Sequence, residues 1–213
     1  MTLSNSVAQL RTTASTTRKL VRPDRQLVVS REHSFVYYRV PKVATQSLTK
    51  AISQLDPDCL VSPRGDVIPR SLKGLKSFAF VRDPWDRLYS CWCNRIRDGY
   101  RLARFYPELC DLEFEDFVEV ISKWDLRVCD PNLRLQSRLV PKAVGFVGRL
   151  ETLVNDYDRL GLHLGVDLPA LPWRNASSPT STEHDPFSPQ LRRQVAQLYA
   201  ADVERFGYTT NPP

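Results

Sequence analysis

Ser77-Phe78-Ala79-Phe80-Val81-Arg82-Asp83-Pro84-Trp85-Asp86 passes from strand to helix within ten residues, and its reading decides the fold. Ser77 to Val81 is a short aromatic and apolar run of the kind found in a strand covered on both faces. Asp83 is a natural N-cap, Pro84 suits the first helical position, and Asp86 stands three residues after the cap. The stripe Trp85, Leu88, Tyr89, Trp92 and Ile96 then predicts an amphipathic helix that Gly99 can close.

Working outward, Ser34 to Val40 is again aromatic and β-branched and is followed by Pro41, so it reads as a second buried strand. Leu48, Ala51, Ile52 and Leu55 recur at i, i+3, i+4 and i+7, which predicts a helix ending before Pro57. Phe114, Phe117, Val118 and Ile121 mark a further helix. Val144 to Gly148 reads as a strand, and Leu150, Leu153, Val154 and Tyr157 mark a helix with Gly161 as its stop. The last helix has Ser188 as cap and Pro189 at its first position, carries Leu191, Val195, Leu198 and Tyr199, and runs to Phe206-Gly207. Strands separated by helices predict an α/β fold, a parallel sheet flanked by helices on both faces in a single domain over residues 26–213. Residues 1–25, with five basic residues, one acid and many Ser and Thr, predict a flexible basic arm.

The chain of 213 residues has the length of one compact domain with one core. Thirty Lys and Arg against 24 Asp and Glu give a net charge of +6, a bias toward anionic partners. The basic residues are dispersed among acids, which argues against a nucleic-acid surface. Five cysteines form no C-x-x-C pair, and His33, His163 and His184 lie far apart, so no metal site is expected and a reducing, cytoplasmic setting is. No apolar run approaches the ~18 residues of a membrane span. The first glycine is Gly65, and neither G-x-G-x-x-G nor G-x-x-x-x-G-K-[ST] occurs. A phosphate site in this chain must be built without the usual glycines.

Ligands of such sheets bind where strands turn into helices at their carboxyl ends. Arg39-Val-Pro-Lys42-Val-Ala-Thr45-Gln-Ser47 is one such turn, and first-turn N–H groups lacking intrahelical partners favour an anion there. Lys42 adds a mobile positive charge, and Thr45 and Ser47 add hydroxyls. The alternative is a solvated lysine and an ordinary helix cap. Arg82 closes the other strand, with Ser90 on the helix that follows; a guanidinium and a hydroxyl suit a second phosphate, and pairing with a helix acid is the alternative. Two such turns in one domain suggest a ligand with two separated phosphate groups.

Tyr38-Arg-Val-Pro-Lys42-Val-Ala-Thr45-Gln-Ser47 resembles the 5'-phosphosulfate loop of sulfotransferases, especially their carbohydrate branch. Phe80-Val-Arg82-Asp-Pro-Trp-Asp-Arg87-Leu-Tyr-Ser90 resembles that branch's 3'-phosphate motif. Phe146-Val-Gly-Arg149-Leu-Glu151 and Tyr199-Ala-Ala-Asp202-Val-Glu-Arg-Phe206-Gly-Tyr208 are similar to its later signatures. The resemblance implies a P-loop-like α/β fold and transfer of a sulfuryl group from 3'-phosphoadenosine 5'-phosphosulfate to a hydroxyl of a carbohydrate or glycolipid, without a metal. By the same match, Lys42, Val43, Ala44, Thr45, Gln46 and Ser47 hold the 5' end, Arg82 and Ser90 hold the 3'-phosphate, and Lys42 stabilises the departing charge.

Many relatives place a histidine four residues before a glutamine. This chain has Asn132 before Gln136, and an asparagine cannot take a proton. His33 lies a strand's length from the Lys42 loop and is set aside. His163, after the Gly161 stop, reads as a packed or surface residue. His184, in the Pro-, Ser- and Thr-rich stretch from Asn175 to Pro186, is the histidine candidate for the base, with Asp130 and the acids between Glu108 and Glu119 as others. Trp124 and Trp173 read as packing, Asp202 as a paired interior acid, and Glu151, near Arg149, as an N-terminal helix acid or a buried partner rather than a base. A kinase-like nucleotide enzyme and a nucleotide-binding relative without catalysis are the rival readings.

Overall fold

The computed structural model describes residues 26–62, 74–97, 105–172 and 186–209, the side chains of Arg95 and Arg97 excepted. The arm over residues 1–25, Gly99, Trp173 and His184 lie outside the described residues. Within the described residues five strands form one sheet: β1 (Gln26–Ser30), β2 (Phe35–Arg39), β3 (Leu60–Ser62), β4 (Lys76–Val81) and β5 (Phe146–Arg149). Their order is β3-β1-β2-β4-β5.

β2, β4 and β5 are parallel, as the alternation of strand and helix predicts, with Tyr38 opposite Ala79 and Phe80 opposite Gly148. β1 and β3 pair antiparallel and extend the sheet on one side, so it is mixed rather than parallel throughout. The short turn between β1 and β2 leaves no room for a crossover helix, which is why their pairing reverses. In β4, Phe78, Ala79, Phe80 and Val81 are all buried, so both faces of that strand are covered.

Among the described residues seven α-helices flank the sheet: α1 (Thr45–Leu55), α2 (Pro84–Trp92), α3 (Phe114–Ser122), α4 (Gln136–Leu139), α5 (Leu153–Leu164), α6 (Pro189–Leu198) and α7 (Ala200–Phe206). The apolar side chains divide into two clusters rather than the single core expected. One joins the sheet to Leu48, Ala51 and Ile52 of α1 and to Tyr157, Leu160 and Leu164 of α5. The other is helical, with Trp85, Leu88 and Trp92 of α2 against Phe114, Phe117 and Val118 of α3 and Leu191 and Val195 of α6.

Three helix boundaries differ from their sequence signals. α2 widens after Trp92 into a π-helical turn over Cys93–Arg97. α5 begins at Leu153 and passes through Gly161 to Leu164, where Gly165 ends it at φ 76° in the left-handed region that glycine tolerates. The C-terminal helix is broken at Tyr199, whose buried hydroxyl donates to the Leu133 carbonyl at 2.8 Å.

Candidate active site

β2 and β4 are neighbours and parallel, so the turns that follow them emerge side by side at one edge of the sheet. The sequence keeps these turns far apart; the parallel pairing brings them together.

The first turn runs from Val40 to Ala44 into α1. Lys42 at φ 70° and Ala44 at φ 42° occupy the left-handed region, the latter as the N-cap residue of α1. For non-glycine residues these conformations cost of order 1–3 kcal/mol each and cluster at ligand-binding turns. The loop therefore uses backbone conformations that glycine would take without strain while keeping the side chains of Lys42 and Ala44. Val40 and Val43 are fully buried and anchor it in the sheet core. The Thr45 hydroxyl, at the first helical position, donates back to the Val40 carbonyl at 2.6 Å and so closes the loop from inside. Gln46 is exposed and Ser47 buried, and Lys42 is half-buried.

The second turn follows β4. Asp83 caps α2 as its sequence position predicts, accepting the N–H groups of Trp85 at 2.9 Å and Asp86 at 3.1 Å. Burial, reinforced by the charges of Asp86 and Glu151, raises the Asp83 carboxyl to about 6 against the opposing effect of those two N–H groups. The Arg82 guanidinium lies 3.6 Å from the Asp86 carboxylate. The alternative of a pair with a helix acid is thus realised, and an anion at Arg82 meets Asp86 as its competitor. Ser90 stands one turn beyond Asp86 on α2 and is 9 % exposed.

Arg82 is held by its main chain. The Gln136 side chain brackets it, Nε2 donating to the Arg82 carbonyl at 2.8 Å and Oε1 accepting the Arg82 N–H at 3.0 Å. Gln136 is fixed in turn by Asp202 of α7, whose carboxylate accepts the N–H groups of Gln136 and Ser137 at 2.7 Å each. Asp202 is the paired interior acid expected. The Glu151 carboxylate accepts the Asp83 N–H at 2.6 Å, and although exposed it has a backbone partner.

Asn132 uses its main-chain N–H and its amide on the Asp130 carboxylate, at 2.9 and 2.7 Å. Its side chain shapes a turn and offers no base. Burial pushes the neighbouring Cys129 thiol up to about 12, which removes it as a thiolate. His163 lies in α5 against Phe146 at 5.5 Å, beside the start of β5 and so away from the edge where the two turns emerge. His33, with Nε2 3.4 Å from the Leu55 carbonyl, precedes β2 and is likewise at the far end. Trp124 packs on Tyr106 at 5.0 Å.

Gln136 and Arg87 are the residues of this edge that sequence reasoning passed over. Arg87 had a signal: Pro84, Arg87, Leu88 and Cys91 fall at i, i+3, i+4 and i+7, a buried helical face with one cation in it. Gln136 had none apart from its place in the motif.

The chain matches no curated protein and no solved structure. A model of the Sulfotransferase family matches residues 25–209, which include both turns, all five strands and the Gln136 and Asp202 brace. The chain belongs to the sulfotransferase family, a family of transferases.

Proposed function

We propose that this chain transfers a sulfuryl group from 3'-phosphoadenosine 5'-phosphosulfate to a hydroxyl of a carbohydrate or glycolipid acceptor. The observation that carries the reading is the adjacency of two anion-suited turns on neighbouring parallel strands, one with Lys42 and the other with Arg82. In the reaction the acceptor oxygen bonds to sulfur, the bond from sulfur to the bridging 5'-phosphate oxygen breaks, and the acceptor proton passes to a base.

The residues divide the work by charge and position. Val43 and Ala44 offer their backbone, and Gln46 and Ser47 backbone and side chains, to the 5' end at the start of α1, where the helix dipole favours negative charge. Thr45 holds that loop closed. Lys42 places a cation where charge develops on the departing phosphate. Arg82 and Ser90 take the 3'-phosphate, Arg82 exchanging its pairing with Asp86 for the ligand. We assign His184 to take the acceptor proton.

Asn132 supports the rival reading of a nucleotide-binding relative without catalysis, because its amide is committed to Asp130. Calorimetry with adenosine 3',5'-bisphosphate, beside Lys42→Ala, Arg82→Ala and His184→Ala and an ATP control, separates the readings. The expected result is metal-independent binding weakened at least tenfold by Lys42→Ala and Arg82→Ala. His184→Ala should bind normally and lose about 100-fold or more in sulfuryl transfer. Binding without transfer to any acceptor of a carbohydrate and glycolipid panel establishes the rival. Indifference to both Lys42→Ala and Arg82→Ala overturns the assignment of the two turns.

A further inference from the structure

Arg87 stands on the buried face of α2, and only 1 % of its surface meets solvent. Its Nε donates to the Pro41 carbonyl at 3.2 Å and its Nη2 to the Pro131 carbonyl at 3.1 Å. One planar cation therefore ties the residue before Lys42 to the residue before Asn132. A guanidinium is costly to bury unless its donors are satisfied, and a rigid fork satisfies two carbonyls only while both hold their places.

The Pro41 carbonyl shares its peptide plane with the Lys42 nitrogen. In a trans peptide the C=O and N–H point in opposite directions, and no cis bond occurs among the described residues. A carbonyl drawn to Arg87 thus turns the Lys42 N–H away from the guanidinium. The Pro131 peptide is held from both ends in the same way, its carbonyl by Arg87 and the Asn132 N–H by Asp130 at 2.9 Å. Lys42 and Ala44 sit in left-handed conformations that persist only where their surroundings over-determine them. A fixed carbonyl at Pro41 is one such constraint.

We infer that Arg87 is a positioning residue: it sets the peptide orientation of the Lys42 loop and registers that loop against the Asp130 to Asn132 turn. The inference rests on the reading of the Lys42 loop as the donor site. Arg87 touches neither phosphate nor acceptor; it acts through Pro41 and Pro131.

The test compares Arg87→Lys with Arg205→Lys. Arg205 also donates to backbone carbonyls, those of Ser137, Val140 and Pro141, none of which belongs to residues 40–47. Hydrogen exchange of the full chain is followed over residues 40–47 and 129–136, with β1 as internal reference, and adenosine 3',5'-bisphosphate affinity is measured beside it. Arg87→Lys should speed exchange at least tenfold in both segments, leave β1 unchanged and weaken bisphosphate binding about tenfold. Arg205→Lys should leave the 40–47 segment as it is. Wild-type protection of both segments in Arg87→Lys overturns the inference, and so does equal loosening of residues 40–47 in the two variants. If Arg87→Lys does not fold, Arg87→Gln is measured in its place. Collapse of both variants while Arg205→Lys folds overturns the inference in favour of a folding role. If the wild-type chain binds no bisphosphate, the donor-site reading fails, while the exchange result still decides whether Arg87 positions the loop.

Discussion

Asp83 shows how a single side chain carries opposing demands. As N-cap it satisfies two backbone donors of α2, yet it is charged, partly buried and close to Asp86 and Glu151. Its carboxyl is raised from 3.8 to about 6, so between those values the folded chain holds a proton that the unfolded chain has released. This contribution to stability is present at low pH and is lost as pH rises through 6. Asn caps nearly as well and bears no charge. Asp83→Asn should therefore melt a few degrees above wild type at pH 7.5, about 1–2 kcal/mol, and level with it near pH 4. Thermal melts across that range decide the point, and a constant difference at all pH values would contradict it. The cap was legible because capping is local, set by three or four consecutive residues. The raised carboxyl was not, because its burial and the approach of Glu151 arise only through the fold.

At the scale of elements, the turn after β2 and the pairing of β4 with β5 show where pattern suffices and where it does not. The strand, the turn and α1 follow from apolar spacing and from Pro41. That Lys42 and Ala44, rather than glycines, take positive φ follows from the fit of Val40 and Val43 into the core and from Thr45 closing the loop. Gly148 illustrates the same limit. A Cβ at Gly148 would lie 2.7 Å from Cδ1 and 2.8 Å from Cζ of Phe80, on the neighbouring strand. Phe80 is fully buried and cannot swing aside. Gly148→Ala should cost about 1–3 kcal/mol as overpacking. The drop of about 2–12 °C in Tm is measurable by calorimetric melting, and a neutral outcome would show that the sheet relaxes there. The π-helical turn after α2 and the break at Tyr199 escaped sequence reasoning for a related reason, since both lie inside patterns whose period continues.

For the whole molecule, the later signatures are braces. Arg149 donates to the Phe206 carbonyl and lies over the Tyr208 ring at 4.9 Å, while the Tyr208 hydroxyl is 3.4 Å from Glu151. Asp202 extends the brace to Gln136, and Gln136 to Arg82. Asp202→Ala leaves two N–H groups at the start of α4 without their acceptor, one of them buried. The expected cost is about 2–4 kcal/mol, read as a lower urea midpoint at unchanged slope. A midpoint within error of wild type would mean that another group replaces the carboxylate. By itself the sequence determined the α/β class, the main strands and helices, the cap at Asp83 and the two turns carrying Lys42 and Arg82, because each of these is written in neighbouring residues through period, capping and charge. Only the tertiary structure decided the antiparallel extension of the sheet, the division of the core, the adjacency of the two turns and the clamps made by Gln136, Asp202 and Arg87. Those depend on strand order and on hydrogen bonds between residues distant in the chain, and no local pattern encodes which carbonyl a buried guanidinium will reach.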